Sequence, residues 1–425
     1  MSTIAGCSEQ IVISARFRAV RERTVGLCGP LTAEDMMVQS TPEASPVKWH
    51  LAHTAWFFES FILREFLPGY KVFNPDFTWL FNSYYESFAK FPEKRLRSSF
   101  SRPGLEEVLR FREHVDEGIE TLLGRNPEVE ALKRIELGLN HEEQHQELML
   151  TDILHAFFTN PLRPAYAGEG SSTPMSQNRD MGHPVGFEPF EGGLREAGYE
   201  GDGFCFDNEM PRHRVWLEPF SLANRLVTCG EYAEFMADGG YRRAEFWLSA
   251  GWAAVQNLGW RAPLYWTSES GDWSVFTLRG EQPMERMKTA PVSHVSYFEA
   301  DAYARWAGRR LATEFEWETA AEGRAVEGNL LESGRLMPGV VADSSQGPGQ
   351  LFGDCWEWTA SAYLGYPGFR PLAGSLGEYN GKFMSGQMVL RGGSCATPAA
   401  HVRATYRNFF GPETRWQFSG IRLAS

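Results

Sequence analysis

Residues 132–158 read LKRIELGLNHEEQHQELMLTDILHAFF, and within them His141 and His145 lie four positions apart. The segment is rich in leucine, and neither proline nor glycine occurs between Gly138 and Pro161, so it predicts one long helix. Side chains four residues apart share a helix face, so both imidazoles could bind one metal ion. The alternative is an ordinary amphipathic helix with two polar-face histidines.

The literal pattern H-E-x-x-H also raises the possibility of a zinc hydrolase with Glu142 as its base. The positions at which metzincins carry a further glycine and histidine are Leu148 and Thr151 here, which weakens that interpretation. A thermolysin-like arrangement, with a downstream glutamate as third ligand, stays open.

A candidate for the third ligand lies upstream, in residues 45–59, SPVKWHLAHTAWFFE. Apolar side chains recur there at helical spacing after Pro46, and His50 and His53 are three positions apart. Either histidine could be a ligand. Three imidazoles without a carboxylate suit Fe(II), Zn(II) or copper and leave coordination positions for substrates.

Composition narrows the class of protein. A chain of 425 residues predicts two or three domains. A net charge of −13 argues against nucleic-acid and anionic-membrane partners. Six cysteines without a C-x-x-C pair indicate free thiols in a reducing compartment. Because neither a signal peptide nor a membrane span is evident, we expect a cytoplasmic protein.

The chain changes character along its length. Residues 10–160 predict a helical bundle of long segments at 11–27, 44–66, 103–123 and 129–158, and bundle metal sites are built from facing helices. Residues 161–203 are rich in Pro, Gly, Ser and Glu and predict a linker. Residues 204–425 predict an irregular α+β domain, with short helices near 229–238, 297–307 and 313–321.

An aromatic and basic region lies between the candidate ligands. Tyr84 and Tyr85 stand in the run FTWLFNSYYE, and Arg95, Arg97 and Arg102 follow. For any single residue, loop packing or a solvated basic edge is the simpler explanation. Taken together they suggest a pocket for a small molecule that bears a carboxylate.

Residues 204–425 resemble the formylglycine-generating-enzyme-like domain, an α+β fold of the C-type-lectin-like kind. The matching stretches are 207–215 DNEMPRHRV, 291–296 PVSHVS, 306–318 WAGRRLATEFEWE, 356–359 WEWT, 391–394 RGGS and 420–422 GIR. The oxidising enzymes of that family carry a cysteine pair after R-G-G-S. Thr397 and Val402 take those places, so copper–cysteine chemistry is not expected, although Cys395 lies nearby.

The first part, with L-A-H and H-E-E-Q-H-Q-E, resembles the DinB-like four-helix domain. The two domains in this order resemble the iron-dependent sulfoxide synthases of ergothioneine biosynthesis. That resemblance implies that His53, His141 and His145 hold Fe(II). It implies that the enzyme uses O2 to join a thiol sulfur to the imidazole C2 of N-α-trimethylhistidine (hercynine), leaving a sulfoxide.

The same resemblance assigns substrate contacts. Gln144 would contact the hercynine imidazole, and Asn408 and Phe409 would hold its trimethylammonium and carboxylate groups. Relatives that use γ-glutamylcysteine carry an aspartate where this chain has Phe410, which favours free cysteine. Tyr84 or Tyr85 is the candidate donor of a proton or hydrogen atom, and Arg95, Arg97 or Arg102 the candidate partner of the cysteine carboxylate.

Several alternatives stay open at this point. They are γ-glutamylcysteine, another thiol or a selenium donor in the same chemistry, a zinc hydrolase, and a non-catalytic ligand-binding module. Nothing in the sequence specifies the oligomeric state.

Overall fold

The structure is a computed structural model that describes residues 2–168, 185–269, 271–340 and 348–425. The chain divides into two units. The helical unit runs to Thr159 and also includes Leu372–Tyr379, and the sheet unit contains Asn160–Pro371 and Asn380–Ser425. The predicted α+β organisation, helical first and mixed sheet second, is confirmed.

Four long helices build the helical unit. One of them, α2 (Val47–Phe58), continues through a π-helical turn, Glu59–Leu63, into a short helix, α3 (Arg64–Phe66). The helices of this unit are α1 Ser2–Gly26, α2 Val47–Phe58, α3 Arg64–Phe66, α4 Phe77–Leu80, α5 Leu105–Leu123 and α6 Val129–Thr159. Helix α2 packs against both α5 and α6, and α1 packs against α6. All twelve residues of α2 are buried, so its histidines lie in the interior.

A glycine allows α2 and α6 to approach closely. A Cβ atom at Gly138 would lie 2.7 Å from Cε1 of Phe58 and 3.3 Å from Cδ1 of Phe57. Both rings are fully buried, so neither is free to move aside. The bare backbone at position 138 therefore sets the helix spacing one turn before His141.

In its described residues, the sheet unit contains four small sheets. Its strands are β1 Phe187–Phe190, β2 Gly193–Ala197, β3 His213–Leu217, β4 Phe220–Ala223, β5 Trp266–Glu269, β6 Asp272–Thr277, β7 Gly280–Pro283, β8 Arg310–Leu311, β9 Trp356–Ala362, β10 Met388–Arg391, β11 Asn408–Phe410, β12 Ser419–Gly420 and β13 Leu423–Ala424. The strand orders are β1-β4-β13-β8, β11-β10-β9-β12, β2-β3 and β5-β6-β7. Most pairs are antiparallel, but β12 runs parallel to β9.

Three helices of the sheet unit begin at a capping box that the sequence shows. Thr228, Ser296 and Thr313 each cap a helix and are followed three residues later by glutamate, so each forms a capping box. The helices of this unit are α7 Cys229–Ala237, α8 Ser249–Leu258, α9 Met284–Met287, α10 Tyr297–Trp306 and α11 Glu314–Ala321. Helices α8 and α9, which were not predicted, lack such a cap.

Charged residues of the motifs that resemble the formylglycine-generating-enzyme-like domain form buried ion pairs. Arg391 of R-G-G-S is fully buried and donates to Glu314 and Glu318, each at 2.9 Å. Arg422 of G-I-R donates to Glu357 of W-E-W-T at 2.7 and 2.8 Å. Removing one partner of such a pair is strongly destabilising, because it leaves an uncompensated buried charge. These motif residues therefore hold the fold.

Part of the predicted linker is ordered sheet. Residues 161–203 contain β1 and β2, and 169–184 lie outside the described residues. Strand β2 pairs with β3 along its whole length, from Gly193 opposite Leu217 to Ala197 opposite His213. A two-stranded ribbon depends on its partner, so the local composition of 193–197 carries little strand signal. Within the described ranges, no helix is long and apolar enough to cross a membrane.

Candidate metal centre

Three histidines from two helices meet inside the helical unit. His53 projects from α2, and His141 and His145 project from α6. One ring nitrogen from each lies within 4.8 Å of the others. All three side chains are buried. The four-residue spacing brings together the pair on α6, and the packing of α2 on α6 adds the third.

The hydrogen bond made by His53 defines which of its nitrogens is available. Its Nδ1 lies 2.6 Å from the carbonyl oxygen of Phe81. A carbonyl only accepts, so Nδ1 carries the proton and Nε2 keeps a lone pair. That Nε2 is buried and has no hydrogen-bond partner among the described residues. Trp49 and Trp56 stack on the two sides of the ring, with centroids at 4.4 and 5.3 Å.

The two histidines of α6 turn their Nε2 atoms toward each other, 3.1 Å apart. Burial lowers the pKa of His53, His141 and His145, and that of His141 falls to about 3. All three are therefore neutral imidazoles near pH 7. Neutral imidazoles with converging lone pairs fit a divalent transition metal, because a ligand nitrogen must be unprotonated.

Glu142 has a different environment. It is fully buried and accepts from Arg21 at 2.7 Å and from Arg112 at 2.8 Å. Burial alone would raise its pKa, but the two guanidinium groups hold it down at about 2. A carboxylate paired in this way is a weak base. The hydrolase interpretation needs a glutamate free to accept a proton from metal-bound water, and Glu142 does not meet that requirement.

A tyrosine that the sequence did not single out lies beside the histidines. The Tyr379 hydroxyl donates to the side-chain oxygen of Gln144, and the ring of Tyr379 meets that of His141 with centroids 5.6 Å apart. Tyr379 ends the segment 372–379, which returns to the helical unit from the second half of the chain. It follows His141 by more than two hundred positions, and no local pattern marks it.

The segment that carries Tyr379 is anchored by its neighbour Glu378. The Glu378 carboxylate accepts backbone N–H groups from Glu86, at 3.1 Å, and from Ser87, at 3.0 Å. The Ser87 hydroxyl also donates to Ser375 at 2.9 Å. These bonds hold the loop after Tyr84 and Tyr85 against the segment 372–379.

The two predicted tyrosines lie beside an indole that stacks on His53. Tyr85 is fully buried, with its ring centroid 5.7 Å from that of Trp56, which itself stacks on His53. Tyr84 stacks on Tyr85 at 4.6 Å. Burial raises the pKa of both phenols, so both remain protonated near neutral pH.

The three candidate arginines separate by burial. Arg97 is buried with its guanidinium 3.4 Å from the ring centroid of Trp49. It donates to the Ser45 hydroxyl at 2.7 Å and the Ser83 hydroxyl at 3.1 Å. Burial lowers its pKa to about 9, which leaves it charged near neutral pH. Arg95 is exposed beside Glu93, and Arg102 is exposed and bonds the Ser101 carbonyl.

The remaining predicted contacts belong to the sheet unit. Asn408, Phe409 and Phe410 form β11, which pairs with β10, and all three are half-buried. Phe409 stacks on Tyr363 with centroids 4.0 Å apart. Phe410 meets Trp416 edge to face at 5.9 Å.

The positions of the oxidase cysteines hold no thiol. Thr397 is buried, and its hydroxyl accepts the backbone N–H of Ser394 at 2.8 Å. Val402 and Cys395 are buried too. No disulfide joins the cysteines whose side chains the structure describes, and burial raises the pKa of Cys355. A buried thiol with a raised pKa is unreactive.

Comparison with known proteins gives the same two parts. Residues 16–149 match the DinB superfamily, and residues 189–425 match the sulfatase-modifying factor enzyme 1-like domain. The hercynine oxygenase of Mycolicibacterium thermoresistibile is 32% identical over 95% of this chain and 92% of its own. That of Mycobacterium tuberculosis is 32% identical over 97% and 98%. A formylglycine-generating enzyme of Streptomyces coelicolor is 34% identical over 33% of this chain and 47% of its own.

The full-length matches cover both units, including the helical unit with its three histidines and the sheet unit with its buried ion pairs. The match to the formylglycine-generating enzyme covers only a third of this chain. The chain is an enzyme and belongs to the hercynine oxygenase family.

Proposed function

We propose that this chain is an O2-dependent Fe(II) sulfoxide synthase of ergothioneine biosynthesis. It joins the sulfur of cysteine to the imidazole C2 of hercynine. Family membership supports the reaction class and the hercynine substrate. The iron, the free cysteine and the roles of individual residues are our proposals.

The observation that carries the proposal is the cluster of three neutral, buried imidazoles with converging nitrogens. His53, His141 and His145 would hold the metal, and the absence of a carboxylate from this cluster suits iron that must also accept substrates. Bound there, iron would supply a site for thiolate binding and O2 chemistry. The stacked indoles of Trp49 and Trp56 keep water away from His53.

Tyr379 would supply a proton to the reaction, and Gln144 would hold hercynine. The Tyr379 ring lies against His141, and its hydroxyl would be the proton donor. The side-chain amide of Gln144, which now accepts from Tyr379, would contact the hercynine imidazole. Tyr84 and Tyr85 remain the predicted alternative donors, with Trp56 between Tyr85 and His53.

Arg97 is our candidate for the cysteine carboxylate. Its guanidinium is buried and charged, yet among the described residues it donates only to two neutral hydroxyls. A buried cation of this kind gains from an anionic ligand, and guanidinium binds carboxylate in two-point geometry. Arg95 and Arg102 are exposed and would have to move to play the same part.

Asn408 and Phe409 would hold the far end of hercynine. The Phe409 ring offers an aromatic face for the trimethylammonium group, and the stacked Tyr363 fixes that ring. Phe410, in place of an aspartate, favours free cysteine as the thiol.

One assay tests this proposal. The full chain is reconstituted anaerobically with Fe(II), mixed with hercynine, cysteine and air, and the product mass is measured. We expect the cysteine–hercynine sulfoxide, one iron per chain, and loss of both in His53→Ala. His155→Phe, on α6 beyond the cluster, is the matched control and should retain both.

Other outcomes select the alternatives. A selenoxide or sulfoxide formed only with another donor would keep the reaction and replace the thiol. Zinc in stoichiometric amount, with hydrolytic activity, would favour the hydrolase. A chain that binds hercynine but no metal would be a ligand-binding module and would overturn the proposal.

A further inference from the structure

A chain of hydrogen bonds runs from His145 away from the metal cluster. Its Nδ1 lies 2.7 Å from Nδ1 of His50. The other ring nitrogen of His50, Nε2, lies 3.1 Å from the carboxylate of Asp152. The same carboxylate oxygen accepts the backbone N–H of Ser45 at 2.8 Å. His50 and Asp152 are both buried.

The direction of each bond follows from the chemistry at its ends. A carboxylate accepts, so His50 carries its proton on Nε2 and donates it to Asp152. The Nδ1 of neutral His50 is then an acceptor, so His145 must donate from its own Nδ1. With its proton there, His145 keeps a lone pair on Nε2, the atom that faces His141 at 3.1 Å.

We infer that Asp152 and His50 form a relay that fixes the orientation and tautomer of His145 for metal binding. The inference rests on the proposed metal site and adds two positioning residues that do not themselves touch the metal. A ligating imidazole that donates its second N–H to an acceptor is held in place and made more basic. Here a second histidine stands between the ligand and the carboxylate.

The three proposed ligands differ in the hydrogen-bond partner of their Nδ1 atom. His53 donates to a backbone carbonyl, which no substitution of a side chain removes. The Nδ1 of His141 has no hydrogen-bond partner among the described residues. His145 alone of the three depends on a side-chain relay, so loss of His50 should affect one ligand and leave the other two in place.

The test measures Co(II) affinity of the full chain by anaerobic titration, together with the Co(II) ligand-field spectrum. Loss of an outer partner weakens metal binding by roughly 10- to 100-fold, and we expect that loss in His50→Phe, with an altered spectrum. His50→Asn keeps an amide oxygen near the position of Nδ1 and should bind with intermediate affinity. His155→Phe makes the same replacement at another histidine, on the helix that carries His145, and this variant should bind Co(II) like the wild type.

A double-mutant comparison separates a relay from two independent effects. Asp152→Asn removes the charged acceptor and should weaken binding less than His50→Phe does. In the His50→Phe background the same change should add almost nothing, because the relay is already broken. Additive losses would overturn the relay.

Two further results are decisive. If the wild type binds Co(II) and makes product, and His50→Phe and Asp152→Asn bind with wild-type affinity and spectrum, this inference fails and the proposed function stands. If the wild type binds no divalent metal, the proposed site fails and the inference with it. Circular dichroism and melting curves identify any variant that does not fold, and Asp152→Asn, which preserves side-chain shape, then carries the test.

Discussion

Individual side chains decide between the chemistries that the H-E-x-x-H pattern allows. On one helix turn, His141 and His145 face the interior cluster while Glu142 turns toward Arg21 and Arg112. The same H-E-x-x-H pattern would describe a hydrolase if the glutamate lay beside the metal. The ion pairs of Glu142 with the two arginines indicate that it stabilises the fold instead.

We predict that Glu142→Gln destabilises the fold and spares the metal site. Arg112 would lose its carboxylate partner in the interior, at a cost of about 3–5 kcal/mol of unfolding free energy. Glu120→Gln is the control, because its pair with Arg18 is exposed and worth about 0–1 kcal/mol. Urea unfolding and metal content measure both effects. A stable variant that keeps iron but loses turnover would instead make Glu142 a catalytic base.

The pH dependence of that stability has a defined sign. The folded-state pKa of Glu142 is about 2, below the value of about 4.3 for an unfolded chain. Its contribution is therefore fully present above about pH 4.3 and is lost as the pH falls toward 2. Glu142→Gln should lack this part of the acid sensitivity.

Phe410 makes a prediction about the thiol. An aromatic ring cannot accept a hydrogen bond from the ammonium of a γ-glutamyl group, and an unpaired ammonium costs about 1–3 kcal/mol, roughly ten- to a hundredfold in specificity. Free cysteine should therefore have a higher kcat/KM than γ-glutamylcysteine at saturating hercynine. Phe410→Asp should reduce the ratio of these two kcat/KM values. A higher kcat/KM for γ-glutamylcysteine in the unmodified enzyme would remove Phe410 as the selector.

Among the helices, α2 and α6 make the contact that brings His53, His141 and His145 together. It depends on Gly138, where even a methyl group would meet the Phe58 ring at 2.7 Å. Gly138→Ala should therefore cost about 1–3 kcal/mol of unfolding free energy through overpacking and weaken iron binding. Gly26→Ala, at the end of α1 with no atom within 4 Å of the added carbon, should melt like the wild type. Equal melting temperatures for the two variants would show that the helices adjust freely.

The segment 372–379 contributes a tyrosine whose ring contacts His141. Tyr379→Phe keeps the ring against His141 and removes the hydroxyl that donates to Gln144. We expect sulfoxide formation to fall by roughly 100-fold and uncoupled oxidation of cysteine to its sulfinic acid to rise. Product analysis by mass spectrometry measures the ratio. Tyr85→Phe is the comparison, and the same change in that variant but not in Tyr379→Phe would restore the originally predicted pair as the donor.

For the molecule as a whole, the proposed metal site and the motifs that resemble formylglycine-generating enzymes fall in different units. The three histidines proposed as ligands and Tyr379 belong to the helical unit. The motifs that resemble formylglycine-generating enzymes supply buried ion pairs, such as Arg422 with Glu357. The sheet unit thus has the fold of the formylglycine-generating enzymes without their cysteine pair.

A cysteine replacement tests that separation. Cys395 is fully buried and close in sequence to Thr397, which occupies an oxidase position. Cys395→Ser changes size little and should leave sulfoxide synthesis nearly unchanged, as judged by steady-state rates on folded protein. A fall of several orders of magnitude would assign the thiol a part in the reaction.

Local patterns were enough to predict the long helices of the helical unit, the order of the helical and α+β parts, and the shared helix face of His141 and His145. Helical periodicity and the four-residue spacing of His141 and His145 depend on neighbours along the chain, as do the capping boxes at Thr228, Ser296 and Thr313. The motifs of the second domain are also local, so α+β architecture followed from them. Strand β2 was missed because its partner, β3, stabilises it across sixteen or more positions of sequence.

Tertiary structure decided which residues lie beside His141 and His145. His50 and His53 are nearly equivalent in sequence, but only packing directs His53 Nε2 into the cluster and His50 toward Asp152. Tyr379 joins them from a segment more than two hundred residues away, which no periodicity encodes. Burial keeps the imidazoles neutral, and the two neighbouring arginines keep the buried Glu142 anionic. Such properties depend on which charges and apolar groups surround a residue in three dimensions, and neighbours along the chain do not specify them.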